Sequence, residues 1–381
     1  MTQTRYAKRT YRIAVGCFFF VAGLSFASWA SRIPDIQAKL HLNNAALGAV
    51  LLGLPTGLLI SLPIAGWLVT KWGSKQVVIL AAILYCLTLP LLGFAPSKGA
   101  LMACLFLFGI AGNMLNISIN TQAVGTEAIY GRSIMASYHG LWSMAGFSGA
   151  ALGTCMISLG TPPLQHFFII SCLAAVLTAI GSRYLLPEDS KPKGIGPVFA
   201  RPDRSLLNLG LIAFCCMISE GAMFDWSGVY FQKVIQPPKG LVTAGFTAFM
   251  LTMSTGRFLG DWVATGIGKK KTLQYSGILT AVGLLLAVTC PFLIPAILGF
   301  LLVGAGVSSV VPLIYSSAGK STVLSPGAAI AAVSTIGYLG FLFGPPCIGF
   351  IAQISGLRTA LGIIAILGAT IAVIASKTNI K

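Results

Sequence analysis

The chain has 381 residues, 56% hydrophobic and 9% charged, with 25 Lys and Arg against eight Asp and Glu for a formal charge of +17. Soluble domains carry about 25% charged residues, so a soluble enzyme is excluded. The positive charges fall between apolar runs rather than in one patch, which points to a chain that crosses a bilayer repeatedly and not to a nucleic-acid binder.

Twelve apolar segments follow one another: 11–31, 45–69, 76–95, 99–125, 132–159, 165–186, 205–231, 242–266, 272–290, 292–318, 327–352 and 356–376. A hydrocarbon core about 30 Å thick needs about 20 helical residues, and each segment is near or above that length. Only Cys290-Pro-Phe-Leu separates the ninth from the tenth. The runs are too long and too evenly apolar for barrel strands, and lipid admits only helices or closed barrels. The first is also too long for a cleavable leader. The nine Cys lie singly or as Cys215-Cys216 with no CxxC spacing, so neither a metal site, a disulfide framework nor a cofactor is expected. They read as small apolar filler.

The cations set an orientation. With the N-terminus inside, 19 of the 25 fall on the inner side, among them Arg257 and Lys269 to Lys271, while Arg32, Lys39, Lys98, Lys233, Lys239 and Arg358 fall outside. Both termini are therefore expected in the cytoplasm. A Pro-, Gly- and charge-rich stretch, 187–204, reads as a cytoplasmic linker between halves 1–186 and 205–381. The halves echo each other. Gly66-Trp-Leu-Val-Thr-Lys-Trp-Gly-Ser-Lys75 ends the second span and Gly260-Asp-Trp-Val-Ala-Thr-Gly-Ile-Gly-Lys-Lys270 the eighth, while Phe26-Ala-Ser-Trp29 is matched by Met223-Phe-Asp-Trp226. The expected fold is an all-α membrane protein of 12 transmembrane helices in two pseudo-symmetric six-helix bundles. Parallel halves around a midplane site are a transporter pattern.

With this layout and the loop residues Gly66, Thr70, Lys71, Gly73 and Lys75, the chain resembles the major facilitator superfamily over nearly its whole length. Within it the chain is most similar to a bacterial branch related to fucose permease. That likeness is carried by Arg32-Ile-Pro-Asp-Ile36, Asn116-Ile-Ser-Ile-Asn120, His139-Gly-Leu-Trp-Ser143, Glu220-Gly-Ala-Met-Phe-Asp-Trp226 and Gly337-Tyr-Leu-Gly-Phe-Leu-Phe-Gly-Pro-Pro346. The resemblance implies an inner gate at Gly66, Lys71, Gly73 and Lys75, echoed by Arg257 and Asp261. Thr70 replaces the family's usual Asp, and Asn116 stands where relatives often carry an acid.

Several residues could carry the chemistry. Asn113, Asn116 and Asn120 recur at i, i+3 and i+7, one face of the fourth span, and His139 is expected in the same layer. Carboxamide and imidazole groups suit hydroxylated solutes, although polar side chains also join membrane helices to one another. Ser25, Ser28 and Arg32 repeat the spacing on the first span. Arg32 is expected to face Asp225 across the outer half of a cavity. Trp29, Tyr138, Trp142, Trp226 and Tyr338 are aromatic neighbours able to stack on sugar rings or to belt the interface. His41 and His166 are read as solvated in outer loops. Glu220 lies about 22 Å from the inner end of the seventh span. An acid at that depth is functional by default, so Glu220, with Asp225 and His139, is the candidate for proton coupling. Gly344-Pro345-Pro346 reads as a kink, and the drug-antiporter Gly-Pro signature is missing at the matching place, Gly149-Ala-Ala-Leu-Gly153.

The expectation is a secondary transporter of a small polar organic solute, a sugar or derivative, coupled to protons, monomeric in the bilayer of the inner membrane and without nucleic-acid partner or cofactor. Export of drugs or amphiphiles and substrate sensing on a transporter fold are the alternatives.

Overall fold

Helix accounts for nearly all of residues 7–131, 134–187, 204–321, 324 and 326–378, which are the residues described by the computed structural model. Helix α1 spans Lys8–Ser31, α2 Ile33–Lys39, α3 Asn44–Leu51, α4 Gly53–Trp72, α5 Ser74–Phe94, α6 Lys98–Tyr130, α7 Met135–Ser158 and α8 Pro163–Ser182. Then α9 spans Arg204–Tyr230 and continues as a π-helical turn, Phe231–Ile235. It is followed by α10 Ala244–Ile267, α11 Lys269–Thr289, α12 Leu293–Val307, α13 Val310–Ala318 and α14 Pro326–Lys377. The expected linker lies almost wholly outside the described residues, as do Arg5, Arg132, Lys191, Lys193, Arg201 and Lys381.

Among the described residues the helices make twelve crossings, although ten helical runs pass on length and hydropathy together. Two differences from the sequence segments explain the gap. The last two expected spans are both present, two helices within α14 that meet at Gly356 with non-helical φ 84°, and so pass as one run. α10 is long enough but carries Arg257 and Asp261 among Ser, Thr and Gly, which lowers its hydropathy. Conversely, α3 with α4 and α12 with α13 each make one crossing from two pieces.

The internal repeat is written in the backbone. Gly73 (φ 83°, ψ 152°) is the one-residue turn between α4 and α5, and Gly268 (φ 85°, ψ 147°) is the same turn between α10 and α11. A side chain is strained at such φ, so glycine is required there. Gly160 and Gly356 make a second positive-φ pair at the opposite ends of their helices.

By backbone contacts the chain divides into Met1–Leu42 with Val50–Lys191, and Asn43–Ala49 with Pro192–Lys381. The sequence halves differ from this in one segment, because the start of α3 groups with the second unit. Asn44 N–H donates to Gln353 Oε1 at 3.2 Å, and Gly48 is packed so closely that a Cβ there would lie 2.6 Å from the Pro345 carbonyl oxygen. In the first unit α1 is the most enclosed helix, burying Tyr11, Phe18, Phe19 and Trp29; in the second α9 takes that place with Trp226 and Tyr230.

Helix ends receive cations from afar. Lys39 Nζ donates to the Gly93 carbonyl at 2.8 Å at the end of α5, and Arg358 Nε donates to the Val288 carbonyl at 2.8 Å at the end of α11. Both sit where a helix presents unsatisfied carbonyls and partial negative charge.

Candidate functional site

In the first unit the C-terminal end of α1 is a closed polar cluster. Arg32 is 2% exposed. Its Nε donates to His166 Nδ1 at 3.1 Å, its Nη1 pairs with Asp35 Oδ2 at 2.7 Å, and its Nη2 donates to the Thr161 carbonyl at 2.9 Å. The guanidinium thereby ties α1 to α2 and to the turn before α8. Arg32 takes its carboxylate from Asp35 of its own unit. One expectation is corrected. His166, read as a solvated loop residue, is fully buried on the first turn of α8. A histidine that accepts at Nδ1 carries its proton on Nε2. His41 is exposed, at φ 50°.

The Asn face of α6 splits. Asn113 is buried and its Nδ2 donates to the Leu58 carbonyl at 3.1 Å and to Ser61 Oγ at 2.9 Å, joining α6 to α4. Asn116 is exposed and Asn120 half-buried, and Asn120 Nδ2 donates to Asn116 Oδ1 at 3.0 Å. The turn into α7 fixes the level of these groups. Glu127 Oε2 accepts from the backbone N–H of Ile134 at 2.8 Å and of Met135 at 3.0 Å. From that level Asn120 is about 10 Å along α6, His139 about 7 Å along α7, and Asn116 about 16 Å, at 1.5 Å per residue. His139 therefore shares a layer with Asn120 and not with Asn113. It is exposed and lies edge-on to Phe19 at 5.4 Å. Trp142, half-buried, lies a turn further along beside Phe26 at 6.2 Å. Ser25, Ser28 and Trp29 are enclosed by protein instead.

The second unit holds the charged pair. Glu220, 6% exposed on α9, accepts from Arg257 Nη2 on α10 at 3.2 Å. Arg257 lies about 15 Å from the C-terminal end of α10, near the middle of the helix. Its side chain is 19% exposed. Tyr315 on α13 and Tyr338 on α14 are within electrostatic reach of Glu220. Asp225 is half-buried, Trp226 is fully enclosed, and Asp261 is exposed toward the end of α10. Asp225 and Asp261 belong to neither of the two ion pairs among the described residues.

At the expected inner gate, Gly73 is the turn described above. Lys71 Nζ lies over the Trp67 ring at 4.7 Å, Lys75 is half-buried, and Gly66 is exposed with open space where a Cβ would go. Gly66 therefore serves no close helix contact here. Among the described residues no group of His, Cys, Asp and Glu is arranged to hold a metal. Sequence reasoning passed over Gln122. It is 1% exposed, donates from Nε2 to Ser74 Oγ at 2.7 Å and to the Leu186 carbonyl at 3.0 Å, and accepts the Leu186 N–H at 2.9 Å. Its one signal was an amide in an apolar span.

The profile of the Major Facilitator Superfamily matches residues 14–326 and, in a second match, 246–378. The chain belongs to the major facilitator superfamily. This superfamily member is 36% identical over 354 residues to an uncharacterised MFS-type transporter of Yersinia pestis, covering 93% of this chain and 92% of that one. It is 32% identical over 373 residues to the membrane protein MosC of Rhizobium meliloti, covering 97% and 90%. Among solved structures the nucleoside transporter NupG superposes with TM-score 0.75 at 13% identity, covering 96% of this chain and 98% of that one. The E. coli fucose:proton symporter FucP superposes with TM-score 0.64 at 17% identity, covering 98% and 100%. At those identities the structures share the fold. The family consists of transporters rather than enzymes, and this member is a multi-pass secondary transporter.

Proposed function

We propose that this transporter carries a small polar organic solute, a sugar or sugar derivative of the kind handled by the fucose-permease branch, together with a proton taken up at Glu220. The observation that carries this reading is the Glu220–Arg257 pair, 3.2 Å long and mid-span. A carboxylate and a guanidinium at that depth are costly and mark an ion or substrate path. Asn116, Asn120, His139 and Trp142 offer the donors, acceptors and ring face that a hydroxylated solute needs. In this reading two six-helix halves, 1–186 and 205–381, joined by 187–204, work by alternating access. The protein works as a monomer in the inner membrane, with both termini cytoplasmic.

The test is uptake into proteoliposomes from a panel of sugars and derivatives, with an internal pH dye. Wild type accumulates its solute only under an inward proton gradient. Glu220→Gln retains solute exchange at equal pH but no longer accumulates. Accumulation by Glu220→Gln with unchanged pH dependence refutes the coupling role.

A further inference from the structure

From Cys215 to Phe231 every residue is buried except Asp225, which is half-buried. Asp225 and Glu220 stand five residues apart on α9, about 8 Å along the helix and about 140° around it. The two acids therefore lie on different faces, and their surroundings differ. Glu220 accepts from Arg257 Nη2 at 3.2 Å. That guanidinium, which makes this contact among others, compensates the charge of Glu220. Asp225 joins neither ion pair and accepts no hydrogen bond among the described residues.

The titratable groups on the elements packed against α9 are engaged elsewhere. On α10, Arg257 is against Glu220 and Asp261 is exposed toward the C-terminal end. Tyr315 on α13, Tyr338 on α14 and Cys216 on α9 itself lie within electrostatic reach of Glu220. Farther along α14, Cys347 is exposed and Arg358 donates to the Val288 carbonyl. Beyond α9, Lys233 donates to Asn44 Oδ1, and Tyr230 donates to the Ala287 carbonyl. α12 contains no titratable residue. Among the described residues no charged group reaches Asp225 electrostatically. A carboxylate held among apolar side chains keeps its charge only with a cation or donors against it, and otherwise takes a proton. Glu220 meets that condition through Arg257, and Asp225 does not.

We infer that Asp225 is a second proton-exchanging carboxyl of the transport cycle, one that binds and releases its proton without first breaking an ion pair. Its place adds a direction. Asp225 lies about 8 Å from the end of α9 at Tyr230 and Glu220 about 15 Å, so a proton arriving from that end meets Asp225 first. The two acids divide the work. Glu220 changes charge only when its contact with Arg257 opens, whereas Asp225 follows the proton supply directly. This rests on the reading of the chain as proton-coupled.

The experiment is labelling of the purified full-length protein in lipid vesicles with dicyclohexylcarbodiimide, read by peptide mass spectrometry between pH 6 and pH 9. This apolar reagent adds to protonated carboxyl groups and leaves carboxylates alone. The expected result is a label on Asp225 at pH 7 that fades as the pH rises and exceeds any label on Glu220. In proton-driven uptake, Asp225→Asn loses the label and flattens the pH profile, and Asp225→Glu restores both. An acid with a merely structural role would move the stability of the protein and not that profile. No label on Asp225 at any pH, or Asp225→Asn uptake with the wild-type pH profile, overturns the inference; should the variant fail to fold, the wild-type label decides. A label on Glu220 alone ends the assignment of Asp225 and leaves the coupling role of Glu220 standing. Accumulation by Glu220→Gln with Asp225 still labelled ends the role of Glu220 and leaves Asp225 as the proton site.

Discussion

Replacing Arg32 with alanine tests whether this buried cation serves architecture. The change removes two enclosed bonds from a charged donor, to His166 Nδ1 and to the Thr161 carbonyl, and a third to Asp35, whose side chain is 31% exposed. Hydrogen bonds to charged groups contribute about 1.5–3 kcal/mol each, and a partly exposed ion pair about 0–1 kcal/mol. Such losses are not additive, since one residue makes all three contacts. The expected destabilisation is about 3–5 kcal/mol, the range for removing one member of a buried pair. Arg32→Lys should recover less than half, because an ammonium cannot reproduce the three-pronged geometry. The assay is equilibrium unfolding of the purified protein in mixed micelles, followed by tryptophan fluorescence. A loss under about 1 kcal/mol, or an Arg32→Lys protein as stable as wild type, would refute the argument.

Other consequences can be read alongside it. In a double-mutant cycle, Glu220→Gln and Arg257→Gln should each destabilise by more than the double variant does, since each single change removes this contact from a charge that stays within the span; additive losses would deny that the two side chains act as a pair. Asn113→Leu should lower stability by about 0.6–2 kcal/mol by removing interhelical bonds to α4 while leaving the solute range of uptake unchanged. Asn116→Ala and Asn120→Ala should do the reverse, shifting apparent affinity in uptake assays with little change in unfolding. Gly268→Ala should cost about 1–3 kcal/mol, and Gly73→Ala the same, because both turns combine positive φ with extended ψ; a silent substitution at either would contradict the matched-turn account of the repeat.

Much of the architecture was legible along the chain, because the bilayer imposes a length and a polarity on every crossing. Helix ends shifted by a few residues where α6 runs on to Tyr130 and where the break between the last two spans falls at Gly356. The site was less legible. Glu220 stood out because acids are scarce, but nothing in its neighbourhood named Arg257, 37 residues away and credited to an inner gate. His166 was misplaced because a histidine next to an apolar run reads as the end of a loop, whereas Arg32 draws it inward. The Asn face was grouped by periodicity alone. Whether each amide met a neighbouring helix or stayed open depended on where α4 lay, and spacing within one helix carries no information about that.

By itself the amino-acid order determined a helical chain of twelve crossings, repeated once, with its few acids placed where oil makes charge expensive. Only the tertiary structure decided the partners: Arg32 with His166 and Asp35, Asn113 with Ser61, Glu220 with Arg257. The reason is physical. Hydropathy acts on each segment independently and survives in one dimension, whereas a charge or an amide in the membrane is satisfied by whichever group packing brings within about 3 Å.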